Sequence, residues 1–493
     1  MDIHALELAT VANGSVETGG RFYRVSGRYR YSGWTDMPRC LFDHQTFVCR
    51  SVSDLDATVL DMATAKVDYQ LPFVPESIRS RAEALEASGI LERCDYGAPC
   101  RTFVSYPNRF IRSVQWAITG RCNYRCKHCF VSAPDAKFGE ISTEDCLRIV
   151  RELAEAGVTH LDLTGGEPLV RQDLKQIISE LTKYGIRVDG IGTNGSLVTE
   201  CFLDELEELG QKPRFFMSYD GVGWHDWLRG IPGAEKTLMG KFELLARRGY
   251  YTGGAMTLHK RNLPVLRETV NRLADVGAQM VLVNRMLNFG EWQKYGSDFN
   301  ISHAEIFEAY LDYLPHFYED GMPLTVSLNR MLRLERHSYD VKLTAVSGKR
   351  NCLQDRVCPS AYSTLYINGD GKLAPCMAIA GVDQQAKNCT DLTKMSLREA
   401  LKDSAYDRCV RQTLADYFAA NPECDACKYK IYCHGGCRSQ ATEFYPDNYL
   451  GVDRHRCEYF FGHYTERILK RLAETVPQAR VVNLPADFPL EEL

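Results

Sequence analysis

The chain has 493 residues, 45% of them apolar and 25% charged, which allows two or three domains and gives the ordinary mix of a soluble globular protein. A net charge of −5 argues against a nucleic-acid or membrane surface as partner. No apolar run reaches about 18 residues, and the opening "MDIHALELATVANG" lacks a basic start followed by an apolar core. We therefore expect no transmembrane span and no secretory signal.

In chain order, "RFYRVSGRYRYSGW" and "CLFDHQTFVCRSV" alternate apolar with polar or basic residues and read as strands. "SDLDATVLDMATA", with Ser53 as N-cap, and "PESIRSRAEALEASGI", from Pro75 to a stop at Gly89, read as helices. With "ILERC" they form a compact unit over residues 1–100. From about residue 112 strands and helices alternate. The strands are "SVQWAIT", "HLDLTG", "RVDGIGTN", "RFFMSYD", "YTGGAMTLH" and "MVLVNRM", and the helices lie near 142–156, 171–184, 199–209, 234–248 and 263–276. Six such units over 101–310 predict a parallel sheet with helices outside, either an open barrel or a doubly wound sheet. Residues 311–350 read as helical and connecting. A cysteine-rich segment follows over 351–460, with a hairpin in "STLYINGDGKLAPC", and the chain ends in an amphipathic helix near 457–475 and a tail over 461–493.

Nineteen cysteines is a high count. In a large chain without a signal they point to metal ligands in a reducing compartment rather than a disulfide framework. Cys122, Cys126 and Cys129 fall within "GRCNYRCKHCF", after the first strand of the alternating region. A structural zinc site wants four closed ligands, and the bacterial ferredoxin spacing is absent. Three thiols on one short loop suit a four-iron cube with one iron left to bind a small molecule. "GGEP" at Gly165–Pro168 follows the second strand, Thr193–Ser196 the third and Ser218–Gly221 the fourth, so all four motifs fall on the rim where α/β folds bind ligands.

Cys122-x3-Cys126-x2-Cys129, with His128 before the last cysteine, resembles the radical S-adenosylmethionine (radical SAM) signature, and "GGEP" is similar to that family's motif for the SAM amino group. The resemblance covers roughly residues 112–290 and implies a partial (β/α)6 TIM-like barrel. It also implies that a reduced cluster splits SAM into methionine and a 5′-deoxyadenosyl radical that takes a hydrogen atom from substrate. Gly165 and Gly166 would let backbone come close, and Glu167 would offer a carboxylate to an ammonium. Thr193, Asn194, Ser218 and Asp220 are candidate SAM contacts, and Arg229 is a candidate fork for its carboxylate. Each of these five has a turn or cap reading of equal weight. His225 and His259 read as structural, and no residue is assigned as catalytic.

Eight later cysteines run Cys352-x5-Cys358-x12-Gly371-x4-Cys376, then Cys424-x2-Cys427-x5-Cys433-x3-Cys437, then Cys457. By spacing alone they fill two four-iron clusters or two zinc sites. The pattern resembles the SPASM extension of some radical SAM proteins, with two auxiliary [4Fe–4S] clusters. That resemblance groups Cys352, Cys358, Cys376 and Cys437 in one set and Cys424, Cys427, Cys433 and Cys457 in the other. Relatives with an open iron in the first cluster make Cys352 the least secure member.

Residues 1–100 look like the winged helix-turn-helix that recognises leader peptides, whose strand edge an extended peptide joins; a capping extension of the barrel is the other reading. Together these features imply a maturase that installs a thioether or carbon–carbon cross-link in a ribosomally made precursor peptide. A flavodoxin or ferredoxin would supply electrons, and an oxygen-shy cytoplasmic setting is expected. A sulfatase-maturing enzyme is the first alternative, though that group typically places Asp where this chain has Met377. An iron–sulfur electron carrier or scaffold is the second, and needs neither GGEP nor an open three-cysteine site.

Overall fold

The computed structural model describes residues 20–130, 132–288, 290–295, 298–347 and 353–491. Cys352 lies outside the described residues, as do the first nineteen residues of the N-terminal unit. The chain divides into two compact units, Met1–Arg109 and Phe110–Leu493.

In the N-terminal unit, strands β1 (Phe22–Val25), β2 (Tyr29–Gly33), β3 (Cys40–Asp43) and β4 (Val48–Ser51) precede helices α1 (Asp54–Thr64) and α2 (Glu76–Ala87). Strands β5 (Leu91–Cys94) and β6 (Val104–Ser105) follow. Ser53 caps α1, its hydroxyl accepting from the Asp56 N–H at 3.1 Å. β1 pairs antiparallel with β5, and the other four strands make a sheet in the order β4-β3-β2-β6. Val59, Leu60 and Ala63 from α1 and Ile78, Ala82 and Leu85 from α2 close a core with Tyr23, Tyr31 and Leu91. Among the described residues β4 is a sheet edge, and its residues are largely exposed.

The larger unit follows the alternating pattern closely. Its strands are β7 (Ser113–Ala117), β8 (His160–Thr164), β9 (Arg187–Thr193), β10 (Arg214–Ser218), β11 (Thr252–Leu258) and β12 (Met280–Arg285). Each is parallel to the next. The helix over Thr143–Glu155 shows how the sequence dictates the packing. Ser142 caps it, and Cys146, Ile149, Val150, Leu153 and Ala154 recur at helical spacing on the buried face. Each aliphatic side chain so buried contributes about 1.5–3 kcal/mol. The result is an open, partial barrel with the cysteine-rich segment after it.

The sheet is longer than six strands. β13 (Thr325–Leu328) adds parallel to β12, and β14 (Leu332–Leu334) and β15 (Asp340–Leu343) continue antiparallel. Residues 311–350 are thus not a helical connector. The helix His303–Glu319 ends early in that span and strands follow. "TVSL", "LRL" and "DVKL" are too short for their alternation to stand out until neighbouring strands complete the pairing. On the other edge, Thr364–Ile367 pairs parallel with β7, and the expected hairpin turns at Asn368–Gly371, with the Gly371 N–H donating to the Asn368 carbonyl at 2.9 Å. The expected helix near 457–475 is two, Arg454–Phe461 and Tyr464–Thr475. They are split at Gly462 and at His463, whose φ is +54°. No helix among the described residues is long and apolar enough to cross a membrane.

Candidate functional site

The four motifs do meet on one rim. The loop after β7 carries Cys122, Cys126 and Cys129, and each sulfur has a donor aimed at it. The Tyr124 N–H donates to Cys122 Sγ at 3.4 Å, the Ala133 N–H to Cys129 Sγ at 3.1 Å, and Arg229 Nη1 to Cys126 Sγ at 3.6 Å. Asn194 Nδ2 approaches Cys122 Sγ at 4.0 Å. Burial pushes the Cys122 thiol up to about 12, with neighbouring Cys126, Glu167 and Cys129 adding to the rise. A thiolate there calls for a metal to carry the counter-charge, and the N–H donors suit ligand sulfurs, so the donor set fits an iron–sulfur cluster.

The GGEP turn holds this loop in place. The Gly166 N–H donates to the Thr119 carbonyl and the Glu167 N–H to the Arg121 carbonyl, both at 2.8 Å. A Cβ on Gly166 would stand 2.2 Å from the Arg121 carbonyl oxygen, and one on Gly165, whose φ is +152°, 2.5 Å from that of Thr119. The close approach that the glycines permit in this structure is to the chain's own cysteine loop.

Glu167 is fully buried and accepts from Thr193 Oγ1 at 2.7 Å, the Asn194 N–H at 2.7 Å and the Leu169 N–H at 3.2 Å. Burial raises its pKa, and these three donors oppose the rise. The Glu167 side chain, expected to offer a carboxylate to an ammonium, is thus largely engaged within the protein. Three of a carboxylate's roughly four acceptor sites are taken internally, which ties the second rim loop to the third. Thr193 is committed likewise, also accepting from the Gly195 N–H. Asn194 Oδ1 accepts from Ser196, and its Nδ2 donates to Asn123 Oδ1 at 2.8 Å.

Ser218 ends β10 on the same rim. Asp220 is buried and takes Arg229 Nε at 2.6 Å, with His225 Nδ1 3.6 Å away. Burial alone would raise Asp220, but the Arg229 charge, helped by His128 and His225, holds it well below the usual carboxylate range. Arg229, a candidate fork for the SAM carboxylate, has its Nε on Asp220 and its Nη1 on Cys126. Two residues nine positions apart meet because a short helix, α3 (His225–Arg229), brings Arg229 back to Asp220. His225 and His259 are buried. His259 sits among Trp224, Trp227, Trp292 and Phe299, its Nδ1 accepting from the Arg261 and Asn262 N–H groups.

In the cysteine-rich segment, Cys424, Cys427, Cys433 and Cys457 line one cavity, and Cys437 is not among its lining residues. Tyr417 Oη lies 3.2 Å from Cys424 Sγ. Burial pushes Cys433 up to about 12 and Cys457 to about 11. Cys358, Cys376 and Cys437 lie near enough to one another to interact electrostatically. Cys376 is pushed up to about 12 by burial and by the nearby Cys437 and Cys358. Burial opposes charge on Cys437 too, yet Arg330, Ser439 and the Gln440 N–H bring it below the ordinary thiol range. Asn123, Arg330 and Tyr417 escaped the sequence reading. Only Asn123, inside the Cys-x3-Cys loop, stood where a signal could have found it.

Comparison with known proteins agrees with this geometry. Residues 116–273 match the Radical SAM superfamily, and 358–428 match the SPASM iron–sulfur cluster-binding domain. The chain is 28% identical over 345 residues to an AdoMet-dependent heme synthase of Methanosarcina barkeri (strain Fusaro / DSM 804), covering 67% of this chain and 92% of that one. It is 24% identical over 326 residues to the antilisterial bacteriocin subtilosin biosynthesis protein AlbA of Bacillus subtilis (strain 168), covering 65% of each. In fold it is similar to Streptococcus suis SuiB bound to its precursor peptide SuiA, with a TM-score of 0.58 and 14% identity over 86% of this chain and 97% of that one. The chain thus carries a radical SAM domain followed by a SPASM domain, the combination that uses S-adenosylmethionine and [4Fe–4S] clusters, the auxiliary ones in the SPASM domain.

Proposed function

We propose that this protein is a peptide maturase that oxidatively cross-links a ribosomally made precursor through a thioether or carbon–carbon bond. The observation that carries the reading is the separate N-terminal unit in which, among the described residues, β4 is an exposed sheet edge, a surface an extended leader could join as a further strand. The likeness to AlbA and the fold shared with SuiB support it.

In this reading Cys122, Cys126 and Cys129 would hold the SAM-binding cluster. Cys358, Cys376 and Cys437, with Cys352, would hold the first auxiliary cluster, and Cys424, Cys427, Cys433 and Cys457 the second. When bound, the first cluster and SAM supply the one-electron cleavage that yields a hydrogen-abstracting radical. The chain's own part is to hold geometry. Gly165 and Gly166 seat the cysteine loop against β8, and Glu167, Thr193 and Asn194 lock the next loops to it. The cross-linked product would have lost two hydrogens, one as an atom to the 5′-deoxyadenosyl radical and one as a proton. The electron left behind would be taken up by an auxiliary cluster that the SPASM cysteines would hold. A flavodoxin or ferredoxin would be the donor that reduces the protein.

The test is anaerobic incubation of reconstituted protein with SAM, a reductant and a precursor peptide encoded beside its gene, read by mass spectrometry. A product lighter by two hydrogens is expected. Conversion of a sulfatase peptide to an aldehyde would overturn the reading. So would turnover of a porphyrin, the second reading, which the heme synthase relatives favour. Removing residues 1–109 should weaken peptide binding by tenfold or more, yet spare peptide-independent SAM cleavage; unchanged affinity would remove the leader-binding role.

The cysteine grouping has its own test. Cys457→Ala should cost the second auxiliary cluster and slow peptide turnover, while SAM cleavage without peptide persists. An iron content equal to that of the unaltered protein would exclude Cys457 from the ligand set.

A further inference from the structure

Arg229 is buried, joined to Asp220 through Nε at 2.6 Å and aimed at Cys126 Sγ through Nη1 at 3.6 Å. Its helix cannot drift from the cysteine loop. The Lys127 N–H donates to the Leu228 carbonyl at 2.8 Å, and α3 ends at Gly230, whose φ is +69° and where a Cβ would stand 2.8 Å from the Arg125 carbonyl oxygen. Asp220 is fixed in turn, accepting from the Thr257 N–H at 3.3 Å, while Asn262 Nδ2 donates to its backbone carbonyl at 2.9 Å. The fourth and fifth strands thereby hold one guanidinium against one ligand sulfur.

We infer that Arg229 is a positioning residue that sets the reduction potential of the cluster held by Cys126, with Asp220 as the counter-charge that limits its effect. The inference rests on Cys126 being a ligand of that cluster. Adding an electron increases the negative charge on the ligand sulfurs, and a buried cation donating to one of them stabilises the reduced form, so its presence raises the potential. The Asp220 carboxylate, bound to a different nitrogen of the same guanidinium, pulls the other way. The two residues therefore act with opposite sign, which neither a SAM-carboxylate role nor a purely packing role for Arg229 requires.

The test is a redox titration of anaerobically reconstituted full-length protein without SAM, followed by electron paramagnetic resonance. The signal of this cluster is isolated by subtracting that of C122A/C126A/C129A protein. Asp220→Asn should raise the midpoint. Adding Arg229→Met to that variant removes the pair without leaving a lone buried charge. It should lower the reduced-to-oxidised ratio at fixed potential by about tenfold relative to D220N, about 59 mV for one electron. R229K, which keeps the charge, should fall nearer the unaltered protein. Equal midpoints in all variants, with weaker SAM binding wherever Arg229 is replaced, would return Arg229 to the SAM-carboxylate role and overturn the inference. If the C122A/C126A/C129A protein lost no signal, the ligand assignment itself would fail, a separate outcome.

Discussion

Replacing Cys122, Cys126 and Cys129 together by alanine is expected to remove about four irons per chain and to bring 5′-deoxyadenosine formation to background. The three sulfurs sit on one loop, each with its own hydrogen-bond donor. Burial disfavours a bare thiolate at Cys122. As proposed ligands of the SAM-binding cluster they should lose its iron together, while the SPASM cysteines, on separate chain segments, should keep theirs. Iron and sulfide assays with chromatography of the cleavage products check both halves. Unchanged iron, or cleavage persisting in the triple variant, would place the SAM-binding cluster elsewhere.

The second large effect is expected from Gly166→Ala, which adds a single methyl group. Its Cβ would stand 2.2 Å from the oxygen and 2.6 Å from the carbon of the Arg121 carbonyl. Backbone cannot rotate aside as a side chain does, so either the cysteine loop or the GGEP turn must move. The hydrogen bonds from Gly166 to Thr119 and from Glu167 to Arg121 go with that movement. A displacement of about 1 Å at a reacting centre costs on the order of 100-fold in rate. We expect SAM cleavage to fall by at least that much while the fold, followed by circular dichroism, is kept. Gly240→Ala is the control. Gly240 lies in the helix Ala234–Arg247 and a Cβ there meets nothing within 4 Å, so alanine should be neutral or slightly stabilising. If G166A cleaved SAM as well as G240A does, the turn would not be what seats the loop.

Much of the fold was legible because its signals are local. The strands "HLDLT" and "RVDGIGT" carry their own patterns of burial, and the helix after Ser142 carries its own cap and apolar stripe. The strands at 325–343 were not legible, since three- and four-residue runs acquire meaning only from the partners beside them. The internal partners of Glu167 and Arg229 were not legible, because a sequence lists charged groups without their partners. Burial then made internal pairing of both the lower-energy arrangement.

The β/α rhythm by itself put the motifs on one rim, and the resemblance of the cysteine spacing and the GGEP turn to the radical SAM signature gave the class of chemistry. Each depends on residues close in the chain. Which sulfurs share a cavity, and whom Glu167, Asp220 and Arg229 serve, were decided only by tertiary structure. Those partners are brought together by strand order, and a buried charge binds whatever the fold sets beside it.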